Sequence, residues 1–181
     1  WQCKGRALGA TGQYQAGLNA LEQAKSLAKA RYDQMITHIF MGNLHQSNQG
    51  YADALTHYQT GLTMAQAENN RQFTRILHHL IGDTHAAQHD YALAMQSHEA
   101  GSQLALNDNE RAESYANIAW THQQLNQLNQ AIEFQLKSVV MQQKAGTLDA
   151  YAEACLLLGQ YFSQNKEYAN AEKTYQKLLQ F

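Results

Sequence analysis

A chain that repeats itself at a fixed interval is restricted to folds in which every copy meets the next through the same surface. Five segments here share one pattern: Tyr14-Gln-Ala-Gly17-Leu18, Tyr51-Ala-Asp-Ala54-Leu55, Tyr91-Ala-Leu-Ala94-Met95, Leu128-Asn-Gln-Ala131-Ile132 and Tyr168-Ala-Asn-Ala171-Glu172. The small residue in each recurs at intervals of 37, 40, 37 and 40 residues. Nine residues before each leading Tyr or Leu stands a second small residue, which places Gly5, Gly42, Gly82, Ala119 and Gly159 in the same phase. Two markers that stay in step through five copies require a repeated structural unit.

The unit reads as a pair of helices. Pro is absent from the sequence, and Ala, Gln and Leu dominate it, so few stretches favour strand. Ala54, Leu55, Tyr58 and Leu62 fall on one stripe at helical spacing, as do Ala131, Ile132 and the segment from Phe134 to Leu136. Small residues recur where two helices must approach closely, with aromatic and aliphatic side chains filling the space around them. Turn signals stand at Asn48-Gln49-Gly50, Glu68-Asn69-Asn70, Asn107-Asp108-Asn109 and Lys144-Ala145-Gly146-Thr147. The pattern predicts ten helices, over 1–10, 14–29, 32–48, 51–67, 71–88, 91–106, 109–126, 128–144, 148–165 and 168–181.

Around the upstream small residues a longer signature, W-x2-L-G-x2-Y, can be traced. His38-x2-Met41-Gly42-x2-His45, His78-x2-Ile81-Gly82-x2-His85, Tyr115-x2-Ile118-Ala119-x2-His122 and Cys155-x2-Leu158-Gly159-x2-Phe162 are its copies, with Trp1-x2-Lys4-Gly5-x2-Leu8 the most divergent. A downstream A-x3-F element follows as Ala54-x3-Tyr58, Ala94-x3-His98 and Ala171-x3-Tyr175. On these residues the chain resembles the tetratricopeptide repeat family over essentially its whole length. It departs from the family pattern in lacking the terminal Pro and in a period three to six residues longer than the usual ~34. Such lengthened repeats are similar to those of Pins-type polarity adaptors, kinesin light chains and bacterial Rap-type regulators. The resemblance implies an all-α fold, a right-handed α-solenoid of about five helix-turn-helix hairpins. We expect one array over 1–181, with repeats near 1–30, 31–70, 71–108, 109–147 and 148–181. Trp1 enters in mid-helix and the chain closes on the apolar Leu178, Leu179 and Phe181. Solenoids need polar end caps, so the expectation is a segment of a longer protein or self-association through uncapped ends.

Charge and motifs narrow the function. A formal net charge of -2, with 13 Lys and Arg scattered along the chain, lacks the concentrated basic field that nucleic acid requires. No apolar run reaches the ~18 residues of a membrane span, and a cytoplasmic location is the expectation. Cys3 and Cys155 cannot build a disulfide framework or a metal knuckle. No Gly-rich phosphate loop, G-x-S-x-G elbow or arranged Cys and His pair is present, so the chain does not read as an enzyme and no cofactor is expected. Nine histidines are the one hint of a site. His85 and His89, four apart on a predicted helix, have a spacing that can hold a transition metal. Ala86, however, stands where a zinc protease needs Glu. The register instead reads His38 and His78 as fillers of the Trp position and His45, His85 and His122 of the Tyr position. No metal site is therefore assigned.

The family resemblance implies a ligand groove lined by the first helix of each hairpin, one that receives an extended peptide or a helix. On that basis the candidate peptide-binding residues are Arg6, Ile39, Asn43, Gln46, His79, Asp83, Trp120, Gln123, Leu156 and Gln160. Asn43 resembles the groove Asn that hydrogen-bonds ligand backbone. Ala119 already fills the small core position, so Trp120 is expected to be an exposed aromatic anchor. The function implied is a scaffold for a protein or peptide partner. The alternatives are a peptide-sensing segment of a larger signalling or transcription protein and a self-associating assembly module.

Overall fold

A computed structural model describes residues 1–145 and 147–178. Among these residues the chain forms ten helices: α1 (Gln2–Ala10), α2 (Tyr14–Leu27), α3 (Arg31–Ser47), α4 (Tyr51–Ala67), α5 (Arg71–Ala87), α6 (Tyr91–Ser102), α7 (Asp108–Gln124), α8 (Leu128–Ala145), α9 (Leu148–Gln164) and α10 (Tyr168–Leu178). The all-α, hairpin-by-hairpin reading holds, with helix starts within a residue or so of expectation. Gly146 in the last expected turn, and Leu179 and Phe181 of the expected apolar end, lie outside the described residues.

One turn closes every hairpin. Gly12, Gln49, His89, Asn126 and Lys166 each take a left-handed conformation, with φ between 57° and 76°. The following amide donates back to a carbonyl in the last helical turn: Gln13 to Leu8 at 2.9 Å, Gly50 to His45 at 2.8 Å, Asp90 to His85 at 2.9 Å, Gln127 to His122 at 2.8 Å and Glu167 to Phe162 at 2.8 Å. This is a Schellman ending, which satisfies carbonyls that a helix end otherwise leaves bare. Between hairpins, Asn70 and Asn107 act as N-caps, accepting from the amides of Phe73 (3.1 Å) and Glu110 (2.9 Å). The largest departure from expectation is α6, which stops at Ser102 instead of Leu106. Gly101 and Ser102 support a helix poorly, and the chain beyond must straighten so that Asn107 can enter its extended cap conformation.

The chain divides into two compact units, Trp1–Asp90 and Tyr91–Phe181, so the third hairpin is split between them. In unit 1 each helix packs on its sequence neighbours and α1 also reaches α3. Its core gathers Met35 and Ile39 of α3, Ala54, Tyr58, Leu62 and Ala65 of α4, and Leu77 and Ile81 of α5. A smaller cluster of Leu21, Met41 and Leu44 joins the first hairpin to the second. In unit 2, Ala119, Ala131, Ile132, Leu158, Tyr161, Phe162 and Ala171 form the core of the last two hairpins.

The repeated small residues are where helices of a hairpin touch. Gly42 of α3 lies against the ring of Tyr58, and Gly159 of α9 against that of Tyr175. Gly5 lies against Leu21, and the Gly5 carbonyl is near Gly17. In the fourth hairpin Ala119 takes the place of glycine, and the residue in register with Tyr58 and Tyr175 is Gln135, a slimmer side chain. Both are buried. Small residue and facing side chain thus trade volume, as a close-packed interior requires.

Candidate functional site

Each unit carries its own share of the predicted residues. In unit 1, Tyr58 projects from α4 through the core to α3, where its hydroxyl lies 2.7 Å from Asn43 Oδ1 and 2.8 Å from Gln46 Oε1. A phenol has one proton to donate, so the two amide oxygens share it. Burial, and next the Asp83 carboxylate on α5, push the Tyr58 phenol above its ordinary pKa, keeping it a donor throughout the accessible pH range. Asn43, Gln46 and Asp83 are therefore brought together around one buried hydroxyl. With its oxygen turned inward, Asn43 directs its amide N–H groups away from Tyr58. Arg6 on α1 lies over the Phe40 ring at 4.7 Å and is exposed, lining the cleft between α1 and α3 together with Asn43 and Ser47.

Two predicted residues of this unit do not present themselves. Ile39 is only 8% exposed, sitting in the core with Met35 and Tyr58, and His79 is only 5% exposed. Burial, followed by Arg75 and His78, pushes His79 down to a pKa of about 4, so it is neutral at ordinary pH. Register alone put them one turn before the ligand-facing position, and the helices packed alongside cover them.

In unit 2, Trp120 on α7 is 40% exposed and Leu156 on α9 is 47% exposed, while Gln160 is also open to solvent. The Tyr91 ring meets the Trp120 indole edge-on at 6.4 Å and limits its freedom. Gln123 is half-buried and lies within a row of amides. Its Nε2 donates to Gln164 Oε1 on α9 at 3.3 Å, and Gln124 Nε2 donates to its Oε1 at 2.6 Å. Gln124 and Gln164 were not among the sequence candidates. The signal that finds them is spacing, because Gln164 follows Gln160 by one helical turn.

The histidines resolve mostly as the register expects. His38, His78, His85 and His122 are half-buried and His45 is buried. The His85 and His89 pairing does not form on one helix face, because α5 ends at Ala87 and His89 is the left-handed residue of the turn. Among the described residues no group of three or more His, Cys, Asp or Glu side chains is placed to hold a metal ion, and no helix is long and apolar enough to cross a membrane.

Comparison with known proteins agrees with this architecture. The family model for the tetratricopeptide repeat matches residues 112–144 and 152–181. The chain is similar in structure to RapI in its apo form, at a TM-score of 0.84 and 12% identity, covering 97% of this chain and 50% of that one. It is similar to a Podosopora anserina protein with nearly identical TPR-like repeats of kinesin light chain type, at 0.77 and 15%, covering 96% and 89%. MamA of Desulfovibrio magneticus RS-1 gives 0.70 and 16%, covering 97% and 89%. Identities this low speak for fold alone. No curated protein matches the sequence. Tetratricopeptide repeats thus lie within the fourth and fifth hairpins, and the chain as a whole has the fold of tetratricopeptide-type arrays.

Proposed function

We propose that the chain is a binding scaffold for a protein or peptide, with ligand contacts along the first helices of its hairpins. Each unit offers its own stretch of that surface: Arg6, Asn43 and Asp83 on α1, α3 and α5, and Trp120, Gln123, Leu156 and Gln160 on α7 and α9. Ile39 and His79 act beneath it, as packing. The observation that carries the reading is Trp120. A Trp 40% exposed on a packed helix, next to an alanine that already fills the core position, presents apolar area beyond its edge-on contact with Tyr91. The side chains singled out around it, Gln123, Gln160 and Leu156, are uncharged, which suits ligand backbone and an apolar side chain more than a charged group. The mechanism is uncatalysed: preorganised amides and one rigid aromatic lower the ordering cost of binding.

Affinity capture from source lysate tests this, with the wild type beside a Trp120→Ala, Gln160→Ala variant. Both residues are exposed, so far-UV circular dichroism should show an unchanged helical fold. A partner held by the wild type and lost by the variant is the expected result. Equal retention of every partner by both proteins would remove the surface from consideration.

A further inference from the structure

One cluster in unit 1 is used neither by the hairpin core nor by the proposed binding surface. His38 Nδ1 on α3 lies 3.0 Å from His57 Nδ1 on α4. The His57 ring in turn stacks on His45 of α3, with centroids 5.2 Å apart and planes at 21°. His45 Nδ1 is 2.9 Å from the Tyr14 hydroxyl on α2. A continuous chain of rings therefore ties the two helices of the second hairpin to the last helix of the first. The same register positions in the fourth hairpin hold Tyr115, Phe134 and His122, with His122 stacked on Phe134 at 5.4 Å and 22° and Tyr115 against it at 6.2 Å. What is an aromatic wedge in the fourth hairpin is built from three imidazoles in the second.

We propose that the His38–His57 pair, with the His45 ring stacked on it, forms an acid-sensitive latch that holds α2, α3 and α4 together when the pair is neutral and releases them when it is protonated. The chemistry follows from the 3.0 Å contact. Two imidazoles can face each other through Nδ1 only if one carries a hydrogen and the other a bare lone pair. One further proton can still be shared as N–H···N, but a second leaves two N–H groups pointing at each other.

Two carboxylates bear on the cluster, one paired with a lysine and the other open to water. From α2, Glu22 bears on His38 and His57, but it is paired at 2.7 Å with Lys25, which opposes it. From α4, Asp53 lies 3.7 Å from His45, with its own side chain 72% exposed to water. From α1, Lys4 lies over Trp1 and Arg6 over Phe40. From α5, Asp83 bears on Tyr58. Burial, then His38, His45 and Lys25, hold His57 down near a pKa of about 4, and burial also lowers His38. The unfolded chain, with histidines near 6.5, binds more protons than the folded one between those values. The stabilising effect of the neutral cluster is thus complete above about pH 6.5 and is lost as pH falls toward 4. Because α3 also carries Asn43 and Gln46, release would disorder the unit 1 part of the proposed surface. That consequence alone rests on the binding role, and the test below uses no partner.

The test compares the wild type with a His38→Asn, His57→Asn double variant, whose amides can keep a hydrogen bond at the Nδ1 position without titrating. Thermal melts are recorded from neutrality down to about pH 4.5. The wild type should lose at least ~4 °C more of its melting temperature over this range than the variant. His79 titrates alike in both chains and cancels. In parallel, a nitrogen–nitrogen coupling across the His38–His57 hydrogen bond should be visible by NMR at neutral pH and vanish before global unfolding. Equal pH slopes, or no coupling at neutral pH, would overturn the latch. If the double variant does not fold, the wild-type coupling decides alone, and its persistence to the point of unfolding would count against the proposal.

Discussion

Replacing Gly42 by alanine sets two large effects against each other, and the structure says which one wins. Alanine in a helix interior is favoured over glycine by about 1 kcal/mol, so an isolated α3 would gain. In the folded hairpin the new methyl would fall 2.6 Å from Tyr58 Cδ1 and 2.8 Å from Cζ, closer still to Cε1, where carbon atoms normally rest ~3.5–4 Å apart. The ring must retreat by about 1 Å, and it has nowhere to go, since Tyr58 is 0% exposed. Its hydroxyl is also tethered to Asn43 and Gln46. Overpacking of this kind costs ~1–3 kcal/mol, and losing the hydroxyl's partner adds ~1 kcal/mol. The net expectation is a destabilisation of about 2 kcal/mol.

Urea denaturation followed by far-UV circular dichroism measures it. In a Trp1→Phe background the remaining Trp120 fluorescence reports unit 2, while Gly42 lies in unit 1. A second substitution sharpens the test. Tyr58→Gln recreates the pairing that the fourth hairpin uses naturally, Ala119 with Gln135, so the Gly42→Ala, Tyr58→Gln double variant should be more stable than the sum of its parts by about 1 kcal/mol or more. A Gly42→Ala chain as stable as the wild type, or additive double-variant energies, would refute the reasoning.

Two further outcomes are expected. Lys166, with φ of 63°, closes the fifth hairpin in a conformation that glycine adopts without strain, so Lys166→Gly should stabilise unit 2 by about 0.5–1 kcal/mol, and a lower melting temperature would contradict the Schellman assignment. Of the two free thiols, Cys3 is exposed and should react with a disulfide reagent at once. Cys155 is buried, burial raises its pKa, and it should react only as fast as the fold opens, so two equally fast thiols would be inconsistent with the packing of α9.

The hairpins were legible because their signal is redundant. Small residues at two phases, apolar stripes and turn residues all mark the same boundaries, so an error in one is corrected by another. The turns were legible in place but not in kind. Gly50 stands beside Gln49, yet Gln49 is the left-handed residue while Gly50 has φ of −80°. Gln and Lys carry no preference for that region, and hairpin geometry imposes it on them. The end of α6 was misjudged for the opposite reason. The turn signal Asn107-Asp108-Asn109 marks where α7 begins, whereas α6 already stops at Ser102.

The candidate site was legible only as far as register reaches. Position within a repeat correctly places Trp120, Leu156 and Gln160 on exposed surface and His38 and His45 half-buried or buried. It cannot distinguish Asn43, which is exposed, from Ile39 one turn earlier on the same helix, which is covered, because covering depends on the neighbouring helices. Nor does any single helix reveal the imidazole cluster. His38 and His45 are seven residues apart, about two turns, and so share a face of α3, and the same spacing recurs as His78 and His85 on α5. Only in the second hairpin does the opposing register position carry a third imidazole. It is His57 there, Ser97 in the third hairpin and Phe134 in the fourth. A repeat protein presents the same three packing positions again and again, so a change of chemistry in one copy has the other copies as its control. That is why the second hairpin should respond to acid while the fourth, with Tyr115 and Phe134 in place of two imidazoles, should not share that response.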